Sequence, residues 1–206
     1  MANKDHSLDG PILEAAMQEF LDKGYEKASL RKIAGAAGVT VGAIYTRWPS
    51  KDLLIHTLAE PLLRRIGCAF QEIRAGYVRA ETPAEFVGAM KLESDTILHL
   101  LFDDRDRAEL VLCRSTGSSL EHFFDQVVEE KIRQTEAFFA GKPDGGPESR
   151  VLRLLIGAQF HMYQQVMEQG WPLEEARRVM DSVMACHAGG WEALLGLGHE
   201  KGSVSG

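Results

Sequence analysis

Apolar residues recur three and four positions apart along almost the whole chain, which is the spacing of one face of an α-helix. The sequence lacks the signals of β-strands, which are sustained alternation of apolar and polar residues and Asn-Gly hairpin turns. Glycine, proline and capping residues interrupt the helical pattern and divide it into about nine segments. The pattern therefore predicts an all-α fold with about nine helices.

The first three predicted helices follow one another closely. They are expected over residues 9–24, 29–38 and 40–48. Asp9, Ser29 and Thr40 are the predicted N-caps, because their side-chain oxygens accept hydrogen bonds from free backbone N–H groups. Gly24 and Gly38 are the predicted stops. The residues expected to face inward are Ile12, Leu13, Ala16 and Phe20, then Leu30, Ile33, Ala34 and Ala37, and finally Val41, Ile44 and Trp48.

The fourth predicted helix is long and begins after Ser50, which is expected to cap it. It covers residues 51–77 and contains Pro61, which is expected to kink or divide it. The remaining helices are predicted at residues 83–101, 105–113, 118–140, 148–169 and 172–195. The glycine-rich and proline-rich segment 141–147 is predicted to be a loop, and the glycine-rich tail 196–206 is expected to fray.

Composition indicates a soluble globular protein of the cytoplasm. Hydrophobic residues make up 45% of the chain and charged residues 26%, and no apolar run is long enough to span a membrane. The polar N-terminus lacks the apolar core of a secretory signal. Cys68, Cys113 and Cys186 are too few for a disulfide framework and fit no paired metal-ligand spacing. A reducing cytosol is therefore expected, with no metal and no cofactor.

The charge of the chain is unevenly distributed. The formal net charge is −7, yet six basic residues face one acidic residue between Lys23 and Lys51, which gives that segment a net charge of +5. The rest of the chain then carries about −12. An acidic body would repel DNA everywhere except at a basic end, and such a distribution suits a protein that binds DNA in one orientation. The alternative is that the basic cluster is only a solvated face.

The second and third predicted helices, joined by residues 37–39 and seated on a longer first helix, have the arrangement of a helix-turn-helix. A recognition helix must be short, exposed and cleanly capped to enter a major groove about 12 Å wide. Residues 40–48 meet these requirements, with a helix N-terminus whose free N–H groups are expected to face phosphates. The segment offers slim Gly42 and Ala43, hydroxyls from Tyr45 and Thr46, and charges from Arg47 and nearby Lys51.

A longer motif makes this prediction specific. Its three stretches are Ile12-Leu13-x-Ala15-Ala16-x-x-x-Phe20-x-x-x-Gly24-Tyr25, then Ser29-Leu30-x-x-Ile33-Ala34-x-x-Ala37-Gly38-Val39-Thr40-x-Gly42-x-Ile44-Tyr45, and finally Arg47-Trp48-x-Ser50-Lys51-x-x-Leu54. A dozen or more positions agree in order and spacing with one family. The segment of roughly residues 10–56 resembles the DNA-binding domain of the tetracycline-repressor (TetR) family.

The resemblance implies that Thr40, Tyr45 and Lys51 contact DNA, mostly at its backbone, together with residues at the start of the second helix such as Arg31. The complete set predicted to bind DNA is Ser29, Arg31, Lys32, Thr40, Val41, Gly42, Ala43, Tyr45, Thr46, Arg47 and Lys51. Alternatives remain open: Tyr45 packs against the first helix, Lys51 is only solvated, and Arg31 and Lys32 do not both face DNA.

Two positions depart from the family pattern. The family usually has an aromatic residue or histidine followed by phenylalanine where this chain has Arg47-Trp48. Trp48 is still expected in the core, whereas Arg47 is expected to bind phosphate more strongly than histidine would. Val41 stands where many members have a polar or basic residue, and it is expected to contact a thymine methyl group.

The remainder of the chain carries no catalytic constellation, and no enzyme activity is expected. The resemblance implies a cavity among the middle helices that takes a moderately apolar organic effector. Its predicted lining is Met90, Ser94, Ile97, Leu98, Phe124, Phe160, His161, Tyr163 and Gln164. The alternative for each residue is ordinary core packing, including for His99 and His161.

The last two predicted helices are too broadly apolar to be covered by one small domain. The family habit implies a homodimer in which these helices form a four-helix interface, and Trp171 and Trp191 suit such a surface. The alternative is packing within one chain only. The predicted domains are residues 1–50 for DNA binding and residues 51–206 for ligand binding and dimerisation.

Together these expectations describe a ligand-responsive transcription regulator that binds double-stranded operator DNA. A repressor released from its operator by a small molecule is favoured. One rival is an activator of the same architecture. A second rival, from a different class, is a helical carrier or enzyme whose basic N-terminus is incidental.

Overall fold

A computed structural model describes residues 6–140 and 146–195. In these residues it contains nine α-helices, one short 3-10 helix and no strand, which confirms the predicted all-α fold. The helices are α1 (Asp9–Lys27), α2 (Leu30–Ala36), α3 (Val41–Arg47), α4 (Lys51–Arg79), α5 (Pro83–Asp103), α6 (Arg105–Cys113), α7 (Phe123–Phe139), α8 (Ser149–Gln169) and α9 (Leu173–Leu194). Most of the predicted loop 141–147 and all of the predicted tail lie outside the described residues.

The described residues divide into two compact units. The first unit holds the residues up to Arg64 together with Asp103–Phe124, and the second unit holds Arg65–Phe102 and the residues from Asp125 onward. The first unit therefore includes α6 and the first half of α4 in addition to the three N-terminal helices. The predicted assignment of functions to residues 1–50 and 51–206 stays a prediction.

The core of the first unit is apolar and belongs mainly to α1–α4 and α6. Its wholly buried side chains include Phe20, Ile33 and Leu110. Regular helix geometry in α1 is interrupted at Gly24, whose φ of 71° lies in the left-handed region that glycine tolerates. The break predicted at Gly24 is confirmed, although one further turn, residues 25–27, follows it.

Two of the predicted helix caps are confirmed. Thr40 Oγ1 accepts a hydrogen bond from the Ala43 N–H at 3.1 Å, and Ser50 Oγ accepts one from the Leu53 N–H at 3.0 Å. These bonds satisfy N–H groups that have no partner inside the helix. Both helices therefore begin where the sequence indicates.

The other two predictions differ from the structure. Ser29 occupies the N-cap position of α2 as predicted, but its side chain makes no capping bond, and its own backbone N–H donates to Glu19 Oε1 at 3.0 Å. The predicted cap at Asp9 is wrong, because Leu8 occupies the N-cap position of α1 and Asp9 lies one residue inside the helix. The Asp9 carboxylate pairs with Arg47.

Helix α4 is one element that continues through Pro61, so the alternative that this proline divides the helix is wrong, whereas the alternative of a kink stays a prediction. A proline inside a helix removes its own N–H bond, here the bond to the Thr57 carbonyl, and its ring crowds that carbonyl, but the hydrogen bonds on either side can persist. The adjacent carbonyl, that of Leu58, accepts a hydrogen bond from Arg107 Nε of α6 at 2.7 Å. This contact within the first unit supports the helix beside the proline.

The core of the second unit is strongly aromatic. The Phe86 ring lies with its centroid 5.1 Å from that of Tyr77, 4.9 Å from that of Phe138 and 5.7 Å from that of Trp191. Trp191 is 1% exposed, so it packs inside its own chain and is not available for the surface role expected of it. None of the helices in the described ranges is both long and apolar enough to cross a membrane.

His187 makes the second unit sensitive to acid. Trp191 donates its indole N–H to His187 Nε2 at 3.1 Å, which requires that ring nitrogen to be unprotonated. Burial lowers the pKa of His187, so below its unfolded pKa of about 6.5 the unfolded chain binds more protons than the folded chain. We expect the urea midpoint to fall as the pH drops through about 6.5. We expect His187→Gln, which keeps an acceptor for Trp191, to weaken this pH dependence of the urea midpoint. An unchanged pH dependence would contradict the role assigned to His187.

Candidate nucleic-acid interface and buried polar cluster

Helix α3 exposes one face and buries the other. Ile44 and Trp48 point into the core, and Trp48 also donates its indole N–H to Thr57 Oγ1 at 3.0 Å. On the opposite side Thr40, Gly42, Tyr45 and Thr46 are exposed. Tyr45 is 50% exposed, so the core does not take up its ring. The described surface thus offers an exposed aromatic hydroxyl at the centre of a short helix.

Two of the predicted DNA-binding residues of α3 are less accessible than this face. Val41 and Ala43 are half-buried, and Val41 packs against the core of the first unit. The Thr46 hydroxyl donates to the Gly42 carbonyl at 2.8 Å, which leaves its oxygen as an acceptor. Fewer residues of α3 than predicted can therefore contact another molecule without a rearrangement.

Arg47 is held inside the protein by contacts that include Asp9 and the Ala43 carbonyl. Its Nε donates to Asp9 Oδ1 at 2.6 Å and its Nη1 to the Ala43 carbonyl at 3.2 Å, and its side chain is 11% exposed. The guanidinium therefore joins the end of α3 to the beginning of α1. Phosphate binding by Arg47 would have to compete with this ion pair.

Lys51 likewise has partners within the protein. Its Nζ donates to the Tyr25 carbonyl at 2.6 Å and to the Glu26 carbonyl at 3.3 Å, and it lies 4.3 Å from the centroid of the Tyr25 ring. A lysine at the end of a helix stabilises carbonyls that have no helical donor. Lys51 thus connects the first turn of α4 to the last turn of α1, and its contact with DNA stays a prediction.

The basic segment is less uniformly positive than its sequence indicates. Lys23 lies 2.9 Å from Asp22, a residue just outside the segment. Lys27, Arg31 and Lys32 are exposed and have no ion pair within 4.0 Å to any described residue. Arg31 and Lys32 differ in their surroundings. Lys32 lines a cleft between α1 and α2 that also contains Glu14, Glu19 and Asp22, whereas Arg31 does not line this cleft.

In the second unit, six of the residues predicted to line an effector cavity are buried. They are Met90, Ser94, Ile97 and Leu98 on α5, and Phe160 and Tyr163 on α8. Gln159 Nε2 of α8 lies 3.5 Å from the Tyr163 hydroxyl, and the Ser94 side chain of α5 lowers the pKa of the same phenol against the larger effect of burial.

The structure does not place the other three predicted residues in this group. His161 is exposed, because it lies about 100° around the helix from the buried Phe160. Gln164 is half-buried and donates to Glu168 Oε1 at 3.1 Å. Phe124 belongs to the first unit, where it packs against that core.

A buried polar cluster beside this group was not predicted. Glu93 of α5 is 0% exposed, and its Oε2 accepts hydrogen bonds from Lys131 Nζ of α7 at 2.6 Å and from the Tyr77 hydroxyl at 2.5 Å. Lys131 is itself only 8% exposed, and its Nζ lies 3.6 Å from the centroid of the Tyr77 ring. Within the described residues, no group donates to the second carboxylate oxygen, Oε1.

The sequence does contain a signal for this cluster. Glu93 occupies the same helical face as the buried Met90 and Ile97, and Lys131 occupies the same face as Thr135 and Phe139. An acid on the apolar face of one helix and a base on the apolar face of another indicate a buried ion pair, since neither charge is buried alone at low cost.

Burial also determines the protonation of the neighbouring groups. It raises the pKa of Tyr77, and the negative charge of Glu93 raises it further, so the phenol stays a hydrogen-bond donor. It raises the pKa of Tyr163 as well, although bonds with Ser94 and Gln159 oppose the shift. Burial lowers the pKa of Lys131 despite the attraction of Glu93. The cluster thus combines one ion pair with two neutral phenols.

No three histidine, cysteine, aspartate or glutamate side chains come together as a metal site in the part of the chain that the structure describes. None of the three cysteines forms a disulfide, and Cys68 and Cys186 are exposed.

Comparison with known proteins relates the chain to bacterial regulators. Residues 12–58 match the family described as bacterial regulatory proteins, tetR family. YvdT of Bacillus subtilis (strain 168), an uncharacterised HTH-type transcriptional regulator, is 29% identical over 123 residues, or 56% of this chain and 55% of that protein. The match therefore spans about half the length of this curated relative.

Solved structures share the fold over most of their length. A TetR-like transcriptional regulator from Rhodococcus sp. RHA1 gives a TM-score of 0.58 at 19% identity, covering 93% of this chain and 97% of the other. NalD, the secondary repressor of the MexAB-OprM multidrug efflux pump in Pseudomonas aeruginosa, gives 0.58 at 20%, covering 88% and 95%. FadR from Bacillus subtilis, in complex with stearoyl-CoA, gives 0.53 at 18%, covering 91% and 97%.

Proposed function

We propose that this chain, whose residues 12–58 match the tetR family of bacterial regulatory proteins, is a member of that family and a cytoplasmic, ligand-responsive repressor that binds operator DNA. The observation that carries the proposal is the exposed face of α3, where a 50% exposed Tyr45 stands among small and hydroxyl-bearing residues on a firmly packed helix. A short helix of this kind fits the major groove. NalD, which shares the fold, is itself a repressor.

The proposed DNA contacts fall into two classes. Thr40, Gly42 and Tyr45 lie on the exposed face of α3 and would meet base edges and the adjoining backbone. Exposed cations on α1 and α2 would neutralise phosphates. Arg47 and Lys51 would act indirectly, because their contacts hold α1, α3 and α4 together in the first unit.

Arg31 and Lys32 provide a matched test of the phosphate contacts. We expect Arg31→Ala to weaken operator binding more than Lys32→Ala, because Lys32 faces a cleft shared with carboxylates whereas Arg31 does not line it. Removing one phosphate contact should also lower the slope of log affinity against log salt by about 1. Fluorescence anisotropy across a salt series measures both quantities. Equal losses of operator affinity in the two variants would contradict a phosphate contact that belongs to Arg31 more than to Lys32.

We further propose that the chain works as a homodimer through α8 and α9. Exposed residues on these helices form apolar or small-residue stripes, which allow close helix packing. They are Leu154 and Ala158 on α8, and Ala185, Gly189 and Ala193 on α9. A two-fold dimer would present two copies of α3 about 34 Å apart, which matches one turn of a near-palindromic operator.

A small-molecule effector would bind in the second unit, among the buried residues of α5 and α8. FadR, which shares the fold, has been solved with stearoyl-CoA, so the fold accommodates organic effectors. Binding by itself would not release DNA. The effector must have different affinities for the DNA-bound and free states of the protein.

The proposal is tested with the DNA upstream of the chain's own gene. We expect sequence-specific retardation in a gel that persists in the presence of excess unrelated DNA. A reporter under the same promoter should rise when the gene is deleted, whereas a fall would indicate activation. Absence of retardation even at low salt would contradict DNA binding altogether.

A further inference from the structure

A cleft lies between the end of α4 and helix α7, and all the residues that line it belong to the second unit. Its volume of about 660 Å³ is sufficient for a small organic molecule. None of the residues proposed above to bind the effector lines this cleft. The cleft is therefore a second candidate ligand site, and the chemistry of its ligand follows from its lining.

The polar part of the cleft carries an uncompensated positive charge. Both carboxylate oxygens of Glu130 already accept hydrogen bonds, one from Arg133 Nη2 and the other from Gln134 Nε2 at 2.8 Å. Arg74, which lines the cleft from α4, is exposed and has no ion pair within 4.0 Å to any described residue. Two guanidinium groups and one carboxylate thus leave one positive charge without a partner. An anion fits this lining better than a cation.

The apolar part of the cleft is aromatic and firmly packed. Tyr77 and Phe138 have ring centroids 5.1 Å and 4.9 Å from that of Phe86, which is buried beneath them. The Tyr77 hydroxyl donates to Glu93, so this polar atom is already used inside the protein. Ala137 is exposed and small, so it adds apolar surface without filling the cleft. Such a lining favours a flat apolar body.

The polar and apolar parts belong to the same stripe of α7. Glu130, Gln134 and Phe138 follow one another at intervals of four positions, which places them on one face of the helix. On α4, Arg74 and Tyr77 are three positions apart and share a face in the same way. One small molecule can therefore contact a guanidinium and an aromatic ring together.

We propose that this cleft binds an organic anion in which one carboxylate is attached to a flat apolar body. The Arg74 guanidinium binds the carboxylate, because its planar fork matches a carboxylate in shape and charge. Tyr77, Ala137 and Phe138 contact the apolar body. The proposal goes beyond the proposed function, and it does not depend on DNA binding.

The experiment is calorimetry on the full chain without DNA. The probes are 2-naphthoate, its uncharged amide 2-naphthamide, the 2-naphthylmethylammonium ion, and acetate, which has the charge without the rings. We expect 2-naphthoate to bind about fivefold or more tightly than 2-naphthamide, since one hydrogen-bonded guanidinium–carboxylate pair supports such a difference. The ammonium ion and acetate should both bind more weakly than 2-naphthoate.

Arg74→Gln tests the anion contact, and Arg79→Gln is its matched control. Both arginines are exposed and lie near the end of α4, but Arg79 does not line the cleft. We expect Arg74→Gln to lower the affinity for 2-naphthoate to that for 2-naphthamide, and to leave the affinity for 2-naphthamide unchanged. Arg79→Gln should change either affinity by less than about twofold, because solvent and salt screen a charge that does not touch the ligand.

Several results would overturn the proposal. On the native chain they are no binding of 2-naphthoate at millimolar concentration, equal binding of 2-naphthoate and 2-naphthamide, or tightest binding by the ammonium ion or acetate. On the variants they are unchanged 2-naphthoate binding in Arg74→Gln, which would place the anion elsewhere, or an equal loss in Arg79→Gln. Calorimetry contains no DNA, so these results are independent of the gel retardation that tests the regulator.

Discussion

Replacing Tyr45 by alanine is expected to lower operator affinity by about tenfold to a hundredfold, because a direct contact to a base or the adjoining backbone contributes about 1–3 kcal/mol. The ring is 50% exposed and packs little against the core, so the free energy of unfolding should change by less than about 0.5 kcal/mol. Anisotropy titration with operator DNA measures the first quantity, and urea unfolding measures the second.

Two further variants give the controls for Tyr45. Tyr45→Phe keeps the ring and removes the hydroxyl, so it separates hydrogen bonding from apolar contact. Leu92→Ala removes a similar exposed apolar side chain in the second unit and should leave DNA binding unchanged. Native affinity in Tyr45→Ala would mean that the exposed face of α3 does not meet DNA.

The helices around Tyr45 could be predicted because their signals are local. The apolar spacing around Ile33, the glycine at position 38 and the Thr40 cap all act within a few residues, and the structure reproduces each of them. Contacts between distant positions have no such signal. The Ser29 backbone N–H donates to a carboxylate from ten residues earlier, and no local pattern indicates that contact.

The roles of the charged residues could not be read from the sequence in the same way. Arg47 pairs with Asp9 across 38 positions, and Lys51 binds carbonyls some 26 positions away. Both were predicted to bind phosphate, because a basic residue near a recognition helix usually has that role. Their partners are determined by how α1, α3 and α4 pack in the first unit, which is a property of tertiary structure.

In the proposed effector region, the apolar residues could be predicted better than the polar ones. The apolar lining of α5 and α8 could be predicted in part from helical spacing, whereas its polar centre was missed. Glu93 and Lys131 are 38 positions apart, and a charged residue on the apolar face of one helix does not by itself reveal its partner. Only the two buried faces taken together indicate the pair.

Replacing Lys131 by methionine is therefore expected to lower the free energy of unfolding by about 3–5 kcal/mol, because it leaves the Glu93 carboxylate buried with the Tyr77 hydroxyl as its remaining donor. Methionine has a similar volume, so the loss arises from the unpaired charge rather than from a cavity. Urea unfolding at neutral pH measures this loss.

Glu93→Gln should cost less than Lys131→Met, because burial already lowers the pKa of Lys131 and the amine can be buried without its proton. The folded-state pKa then lies below the unfolded value of about 10.4, so the unfolded chain binds more protons and this variant should gain stability as the pH rises towards that value. The double variant Glu93→Gln with Lys131→Met should recover most of the loss seen in Lys131→Met, because it removes both charges together. If Lys131→Met alone were as stable as the native chain, Glu93 would not be held as a buried charge.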